Sequence, residues 1–314
     1  MRKTQFKGVA LLLLTALIWG IAFVAQSAGM ENVGAFTFSA VRTWMGVGVL
    51  LPFILIRDGF TAQYKSPEQL AERKAGNRRA IKYGAVLGVV FCAAGNLQQF
   101  AFYDSTSGKI AFITALYMFF VPLISAIGGT KIPLLTWLSV VFGFVGLYFL
   151  CIDPRHLGAV NRGDLLALGC SVLYAVHILL IERYAGRADG VKLSCAQFAV
   201  SAAISTVCMF LFEHPTISAI RAAIVPLLYA GVMSSGLAYT FQIIGQKYAE
   251  PTVASLLMCM ESVFGALAGA VILHERLSGR EVLGCAVMFA AILLSQVSGI
   301  LTDKLRARHK STFN

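Results

Sequence analysis

Long hydrophobic runs recur along the whole chain and are separated by short polar connections. Each run extends for about 20 residues, which is the length that an α-helix needs to cross the hydrocarbon core of a bilayer. Charged residues, glycine, proline and asparagine mark the breaks between the runs. The pattern therefore predicts an all-α integral membrane protein with ten transmembrane helices, at residues 8–28, 36–56, 83–103, 110–127, 134–152, 164–181, 194–212, 222–246, 252–273 and 279–300.

The composition agrees with a chain that lies mostly in lipid. Of its 314 residues 58% are apolar and 13% are charged, whereas a soluble domain is nearer half apolar and a quarter charged. Ten spans take up about 200 residues and leave no polar stretch for a soluble domain. A soluble enzyme, a nucleic-acid binder and a disordered scaffold are all disfavoured, and the predicted partners are the lipid bilayer and a small-molecule substrate.

The net charge of +11 favours a membrane orientation rather than nucleic-acid binding, because the basic residues are unevenly distributed. Nineteen of the 26 Lys and Arg residues lie at the two termini and in the connections after spans two, four, six and eight, whereas six lie on the other side. Cytoplasmic loops are enriched in Lys and Arg. We therefore expect a plasma (inner) membrane protein with both termini in the cytoplasm, including a basic tail at residues 303–314.

The two halves of the chain, residues 1–152 and 153–302, are similar to each other at an offset of about 145 to 155 residues. Trp19-Gly20 in span one corresponds to Tyr174-Ala175 in span six. Because each half has five spans, an odd number, the second half must enter the membrane from the opposite side. The sequence thus predicts two inverted five-helix repeats, an architecture that many secondary transporters use to bind solutes near the bilayer midplane.

Two polar stripes support this repeat and predict the walls of a binding cavity. Residues at positions i, i+3 and i+7 share one face of a helix. The stripes are Asn96, Gln99 and Tyr103 in span three, and Tyr239, Gln242 and Gln246 in span eight. With Trp19, Tyr174 and His177 they would surround a small organic solute, although such residues also serve simply to join or pack membrane helices.

Several short motifs resemble those of the EamA-type transporters in the drug/metabolite transporter superfamily, and their order along the chain matches as well. The motifs are Trp19-Gly20, Ala40-Val41-Arg42, Leu116-Tyr117-Met118-Phe119-Phe120-Val121-Pro122, Glu261-Ser262-Val263 and His274-Glu275-Arg276-Leu277. The resemblance extends from Gly8 to about Ile300. It implies two inverted repeats, a central cavity lined mainly by spans one, three, four, six, eight and nine, and transport of small metabolites, often outward.

The resemblance also implies peripheral positions for spans five and ten, where a homodimer contact is one alternative. The chain departs from the family pattern at two positions. Lys131 stands where the first repeat often has a glutamate, and Ser262 replaces a proline that often follows the residue equivalent to Glu261. Span nine is therefore expected to be less interrupted than in relatives.

Glu261 is the strongest candidate for a functional residue, because it lies near the middle of span nine. An acidic side chain at that depth needs a water-filled cavity, a partner or a proton. It could carry a coupling proton, pair with a cationic group of the substrate, or be a protonated and hydrogen-bonded structural acid. Its counterpart at an offset of 144 is Tyr117, whose hydroxyl would offer a neutral partner across the pseudo-symmetry axis.

Arg42 is the only basic residue well inside a predicted span. Its guanidinium group suits the recognition of a carboxylate or phosphate. The alternative, which the sequence slightly favours, is that it extends to the outer headgroups or pairs with carbonyl groups at a helix end. His177 has no companion at a metal-ligand spacing, and a proton-relay role is the less favoured interpretation.

The predicted function is that of a secondary transporter for a small metabolite, one candidate being an amino acid. Catalytic and metal motifs are absent: His274-Glu275 is not continued to H-E-x-x-H, and no nucleotide-binding G-x-x-x-x-G-K-[ST] occurs. We therefore expect no cofactor and no metal. An intramembrane enzyme and a non-transporting receptor are the alternatives, distinguished by product formation or by binding without flux.

Overall fold

The computed structural model of the chain describes residues 3–62, 66–152, 160–272 and 278–312, and these residues form helices and connections without a strand. The motif at residues 274–277, the end of predicted span nine and the last two residues of the basic tail lie outside the described residues. The all-helical prediction is confirmed.

The first half contains six helices. They are α1 (Lys3–Met30), α2 (Ala35–Ala62), α3 (Pro67–Ala101), α4 (Ser107–Thr114), α5 (Tyr117–Ile127) and α6 (Leu134–Cys151). Helix α3 begins well before the predicted third span because Ser66 and Gln69 form a capping box and Pro67 occupies the first turn, where its missing amide costs nothing.

The described residues of the second half, 160–272 and 278–312, form eight helices and one π-helical segment. They are α7 (Arg162–Ala185), α8 (Gly190–Phe212), α9 (Ile217–Ala222), α10 (Ile224–Leu228), the π-helical segment (Tyr229–Ala238), α11 (Tyr239–Gln246), α12 (Pro251–Met258), α13 (Met260–Ile272) and α14 (Gly279–Thr312). Helix α14 continues through most of the residues assigned to the tail.

Eight helical segments of the described chain are long and apolar enough to cross a membrane, and Pro251–Leu267 is a shorter apolar one. The eight are Gln5–Met30, Ala35–Phe60, Pro67–Ala101, Ser107–Ile127, Leu134–Cys151, Arg162–Ala185, Gly190–Phe212 and Ile224–Gln246. These segments correspond to the first eight predicted spans. The total of ten stays a prediction.

Three of the predicted spans are interrupted near the centre of the molecule. Span four breaks between α4 and α5, span nine breaks at Cys259 between α12 and α13, and span eight passes through the π-helical segment. Pro226 lies in α10, before that segment, and the amide that it lacks would have paired with the Ala222 carbonyl at the end of α9. The break in span nine lies at Cys259, three residues before Ser262, and that span nine is less interrupted than in relatives stays a prediction.

The helices pack as a single bundle around one large hydrophobic core. Helix α1 lies along the π-helical segment and α11, and α7 lies along α3. Helices α2 and α8 pack against each other, and so do α6 and α14. The interrupted spans also contact one another or α1, since α12 packs against α5 and α13 packs against α1. In contrast, α6 and α14 have exposed apolar side chains such as Phe142 and Phe289.

Candidate functional site: a central cavity

A cavity lies where the interrupted helices meet. It receives side chains from spans one, two, three, four, six, eight and nine, so that α2 joins the six spans expected from the family resemblance. The lining residues are Trp19, Ala22, Phe23, Gln26, Arg42, Gln98, Thr114, Tyr117, Tyr174, Ile178, Ser234, Tyr239, Gln242, Met258 and Glu261.

Glu261 lies in the first turn of α13, directly after the break in span nine. A carboxylate is favoured there by the amides and dipole at a helix N-terminus. Its side chain is 4% exposed, and Tyr117 Oη lies 3.5 Å from Glu261 Oε1. The proximity to Tyr117 predicted from the sequence offset is confirmed. No Lys or Arg of the described chain forms an ion pair with Glu261.

Helix α1 approaches the backbone at Glu261 very closely. A Cβ atom at Gly20 would lie 2.5 Å from the carbonyl oxygen of Glu261 and 2.7 Å from the amide nitrogen of Gly265, so that only glycine fits. This contact brings Trp19, the neighbour of Gly20, to the cavity wall. The Trp19-Gly20 motif therefore has a packing function beside its place in the site.

Arg42 is also buried, with 3% of its side chain exposed. Its Nη1 donates to Gln26 Oε1 at 3.1 Å, and the guanidinium carbon lies 5.8 Å from the centres of the Phe38 and Phe91 rings. Nε and Nη2 have no hydrogen-bond partner among the described residues. Gln26 and the two rings hold the group inside the bundle, whereas the favoured sequence interpretation placed it toward the outer headgroups or at carbonyl groups of a helix end; recognition of an anion by Arg42 stays a prediction.

Three aromatic residues form one wall of the cavity. The rings of Trp19 and Tyr239 lie 4.6 Å apart at 53°, and Tyr239 Oη donates to Tyr174 Oη at 3.2 Å. Trp19 Nε1 is buried without a partner among the described residues. The wall thus combines apolar surface with a buried polar atom that has no acceptor among the described residues.

Amide and hydroxyl groups complete the lining, and the sequence analysis missed four of them. Gln26, Gln98, Thr114 and Ser234 all face the cavity, with Gln98 Nε2 donating to Thr114 Oγ1 at 3.3 Å. Gln26 stands seven residues after Trp19 on α1, which places both on one face. That spacing is a sequence signal which could have found it.

Three predicted site residues do not line the cavity. Asn96 Nδ2 donates to the Cys92 carbonyl at 2.8 Å and to Ser205 Oγ at 3.1 Å, and His177 Nε2 lies 3.0 Å from Gln197 Oε1. The contact with Ser205 joins α3 to α8, and the contact with Gln197 joins α7 to α8. Gln99 is fully buried and has no hydrogen-bond partner among the described residues.

The other six predicted residues are brought together in the cavity. They are Trp19, Tyr117, Tyr174, Tyr239, Gln242 and Glu261. Within the described chain, no group of three His, Cys, Asp or Glu side chains is arranged to hold a metal ion. The lining instead offers one cation, one acid, three tyrosines and several amides, which are groups that bind a small polar molecule without a covalent step.

The sequence comparisons agree on one family. The family model for the EamA-like transporter family matches residues 6–152 and 161–296. An uncharacterized transporter of Archaeoglobus fulgidus is 26% identical over 291 residues, covering 90% of this chain and 83% of that protein. The threonine/homoserine exporter RhtA of Escherichia coli strain K12 is 26% identical over 307 residues, covering 95% and 94% of the two chains.

A solved crystal structure has the same fold. Its TM-score is 0.72 at 19% sequence identity, and the match covers 92% of this chain and 96% of the other. At that identity the likeness concerns the fold alone.

Proposed function

Because the chain belongs to the EamA-like transporter family, we propose that it is a secondary transporter which moves a small metabolite across the plasma membrane by alternating access. The observation that carries the proposal is the central cavity, in which Arg42 and Glu261 are both buried and neither has an oppositely charged partner among the described residues. Buried charges without partners are costly. A charged solute that enters the cavity would supply the missing partners.

The proposal includes ten spans arranged as two inverted repeats. Helix α1 packs along span eight as α7 packs along span three, which is the relation that a pseudo-twofold axis would produce. The breaks at Ala115 and Cys259 are 144 residues apart, as are Tyr117 and Glu261, and Cys259 Sγ lies 3.6 Å from the Ala115 carbonyl. Equivalent positions thus meet at the centre, which supports the axis.

The charge distribution supports an inner-membrane location with both termini in the cytoplasm. The exposed apolar faces of α6 and α14 are suited to lipid or to a second copy of the chain, and a homodimer through these helices stays part of the proposal. Oligomeric state in detergent, measured by light scattering, would test it.

The substrate that we favour is an amino acid. The Escherichia coli relative is named as an exporter of threonine and homoserine. The cavity is lined by both a basic and an acidic side chain, Arg42 and Glu261, which are the two charges that would pair with the carboxylate and the ammonium group of an amino acid. Transport would follow the solute gradient or be coupled to proton exchange, with Glu261 as the residue that would bind the proton.

The first test is flux through the purified protein in liposomes. Vesicles preloaded with one amino acid should accumulate the same labelled amino acid by counterflow, and empty vesicles should not. Glu261→Gln should lower the rate by about tenfold or more and flatten its dependence on pH. Glu250→Gln is the matched control, because Glu250 is an exposed acid at the start of the same predicted span.

The outcomes distinguish the alternatives. Chemical conversion of the solute would indicate an intramembrane enzyme, and binding without flux would indicate a receptor. Unchanged flux and unchanged pH dependence in Glu261→Gln would remove Glu261 from the mechanism. The relatives, which are named as transporters, favour flux.

A further inference from the structure

The guanidinium group of Arg42 has one edge occupied and one edge free. Gln26 Oε1 accepts from Nη1, whereas Nε and Nη2 have no acceptor among the described residues. Nε and Nη2 form the edge with which arginine binds a carboxylate through two parallel hydrogen bonds. A residue that lines the cavity therefore carries a buried bidentate donor pair without an acceptor among the described residues.

The surroundings fix the orientation of this edge. Phe38 and Phe91 lie with their ring centres 5.8 Å from the guanidinium carbon, and Gln26 holds Nη1. A side chain in such a position has already lost most of its rotamer freedom. A ligand that binds it then loses less free energy to ordering.

Gly95 lets Arg42 and Tyr174 come close to each other. A Cβ atom at this position would lie 3.0 Å from Arg42 Nη2 and 3.9 Å from Tyr174 Oη, so that the two polar groups meet beside a glycine and a larger residue would crowd the guanidinium group. Tyr174 Oη accepts the hydrogen bond from Tyr239. Its own proton remains available for donation to an oxygen atom of a ligand.

No acidic side chain of the described chain pairs with Arg42, and the acid that lines the same cavity, Glu261, instead contacts Tyr117. Protein carboxylates therefore do not satisfy the free donors. A buried guanidinium group with two unsatisfied donors is unfavourable until an oxyanion binds.

We infer that Arg42 and Tyr174, beside Gly95, form a carboxylate subsite of the cavity, so that the transported solute carries a carboxylate group. This inference rests on the proposed transport function. A carboxylate fits better than a phosphate, since one guanidinium balances one negative charge and Glu261 lines the same cavity. A cationic group elsewhere on the solute would lie toward Glu261, which makes a zwitterion the best match.

The test compares L-threonine with L-threoninamide, in which a neutral amide replaces the carboxylate. Binding to the purified protein is measured by competition and by thermal shift, and flux by counterflow in liposomes. We expect the amide and inorganic phosphate to bind at least about tenfold more weakly than threonine to the unaltered protein. This comparison needs no variant, so it stays valid if substitutions at Arg42 impair folding.

The variants then assign the preference to the subsite. Arg42→Gln should abolish the distinction between threonine and its amide, and Arg42→Lys should retain a smaller preference because it keeps the charge but loses the fork. Gly95→Ala should weaken threonine binding because its Cβ atom would lie 3.0 Å from Arg42 Nη2 and displace the guanidinium group. Arg183→Gln is the matched control, since Arg183 is an exposed arginine in the last turn of α7.

Each outcome decides between the two proposals. Flux of threonine and its amide with equal affinity overturns the carboxylate subsite and leaves transport intact. Carboxylate-dependent binding without flux overturns transport and leaves the subsite. If Arg42→Gln prefers threonine over its amide as strongly as the unaltered protein does, the role of Arg42 is overturned. If phosphate binds more tightly than threonine, the choice of a carboxylate is overturned. Absence of both binding and flux overturns both proposals.

Discussion

The antiparallel helices α2 and α8 are fastened to each other at both ends, and at each end the fastening group is a carboxylate. At the predicted cytoplasmic end, Lys192 Nζ in the first turn of α8 donates to Asp58 Oδ2 at 2.5 Å. At the predicted outer end, the backbone amides of Phe36 and Thr37 in α2 donate to Glu213 at 2.9 and 2.8 Å. Asp58 and Glu213 are 155 residues apart, as are Thr37 and Lys192.

The two ends use different donors in the same geometry. The cytoplasmic end relies on partly exposed ion pairs, with Arg73 also 3.2 Å from Asp58 and Arg57 3.1 Å from Asp189. The outer end relies on the amides at a helix N-terminus, which otherwise lack partners and favour a negative charge. The same repeated contact between α2 and α8 can therefore depend on ion pairs, which salt weakens, or on hydrogen bonds to the amides of a helix N-terminus, which salt affects little.

The largest effect is expected at the outer end. Glu213→Ala removes the acceptor for two backbone amides and for Thr37 Oγ1, and leaves the first turn of α2 uncapped. We expect a loss of about 2 kcal/mol in the free energy of unfolding, measured in detergent at low and high salt. Hydrogen exchange should accelerate at the amides of Phe36 and Thr37.

Two further variants control this prediction. Gly34→Ala would place a Cβ atom 2.3 Å from the carboxyl carbon of Glu213, so that it should displace the cap and add little when combined with Glu213→Ala. Glu250→Ala should have almost no effect, since the Glu250 side chain makes no capping hydrogen bond. Equal losses in Glu213→Ala and Glu250→Ala would contradict the assigned cap.

A smaller effect is expected at the cytoplasmic end. Asp58→Lys and Lys192→Asp should each destabilise the protein by about 1 kcal/mol, because both side chains line an open polar pocket in which solvent screens the pair. The double exchange should recover part of the loss, but not all of it, since Arg73 also pairs with Asp58.

Salt dependence separates the two ends. Raising the salt concentration to 1 M should shrink the effect of the cytoplasmic variants and leave that of Glu213→Ala nearly unchanged. If both ends responded equally to salt, the distinction between ion pairs and a helix cap would be lost.

The sequence predicted those parts of the molecule that depend on periodicity and offset. The apolar runs predict where the helices lie, and the 144-residue offset predicts that Tyr117 is the partner of Glu261, which the contact between them confirms. The break in span nine at Cys259 could not be predicted in this way, because no proline or glycine marks it. The offset of 155 residues between Asp58 and Glu213 is a sequence signal for their equivalence. Neither residue lies within an apolar run, however, so the hydrophobic pattern does not mark either of them.

The candidate site was predicted less well than the helices, for a geometric reason. In α3 the sequence predicts that the stripe of Asn96 and Gln99 lines the cavity, yet the adjacent Gln98 does so. One residue along a helix is a rotation of about 100°, and polarity alone does not say which side faces the axis. The imidazole chemistry of His177 suggests a site residue, but in the structure its Nε2 lies 3.0 Å from Gln197 Oε1 on another helix.

The smallest of the three effects concerns Thr37, which touches Glu213 twice. Its backbone amide donates at 2.8 Å and its hydroxyl donates to the same Oε2 atom at 2.6 Å. Thr37→Val removes the hydroxyl only, so we expect a loss of about 0.5 to 1 kcal/mol in unfolding free energy, and Thr37→Ser should restore it. In a Glu213→Ala background the Thr37→Val effect should vanish, because the hydroxyl then has no carboxylate to meet. A loss that persisted there would mean that Thr37 stabilises α2 through packing, and that the outer fastening consists of the backbone amides alone.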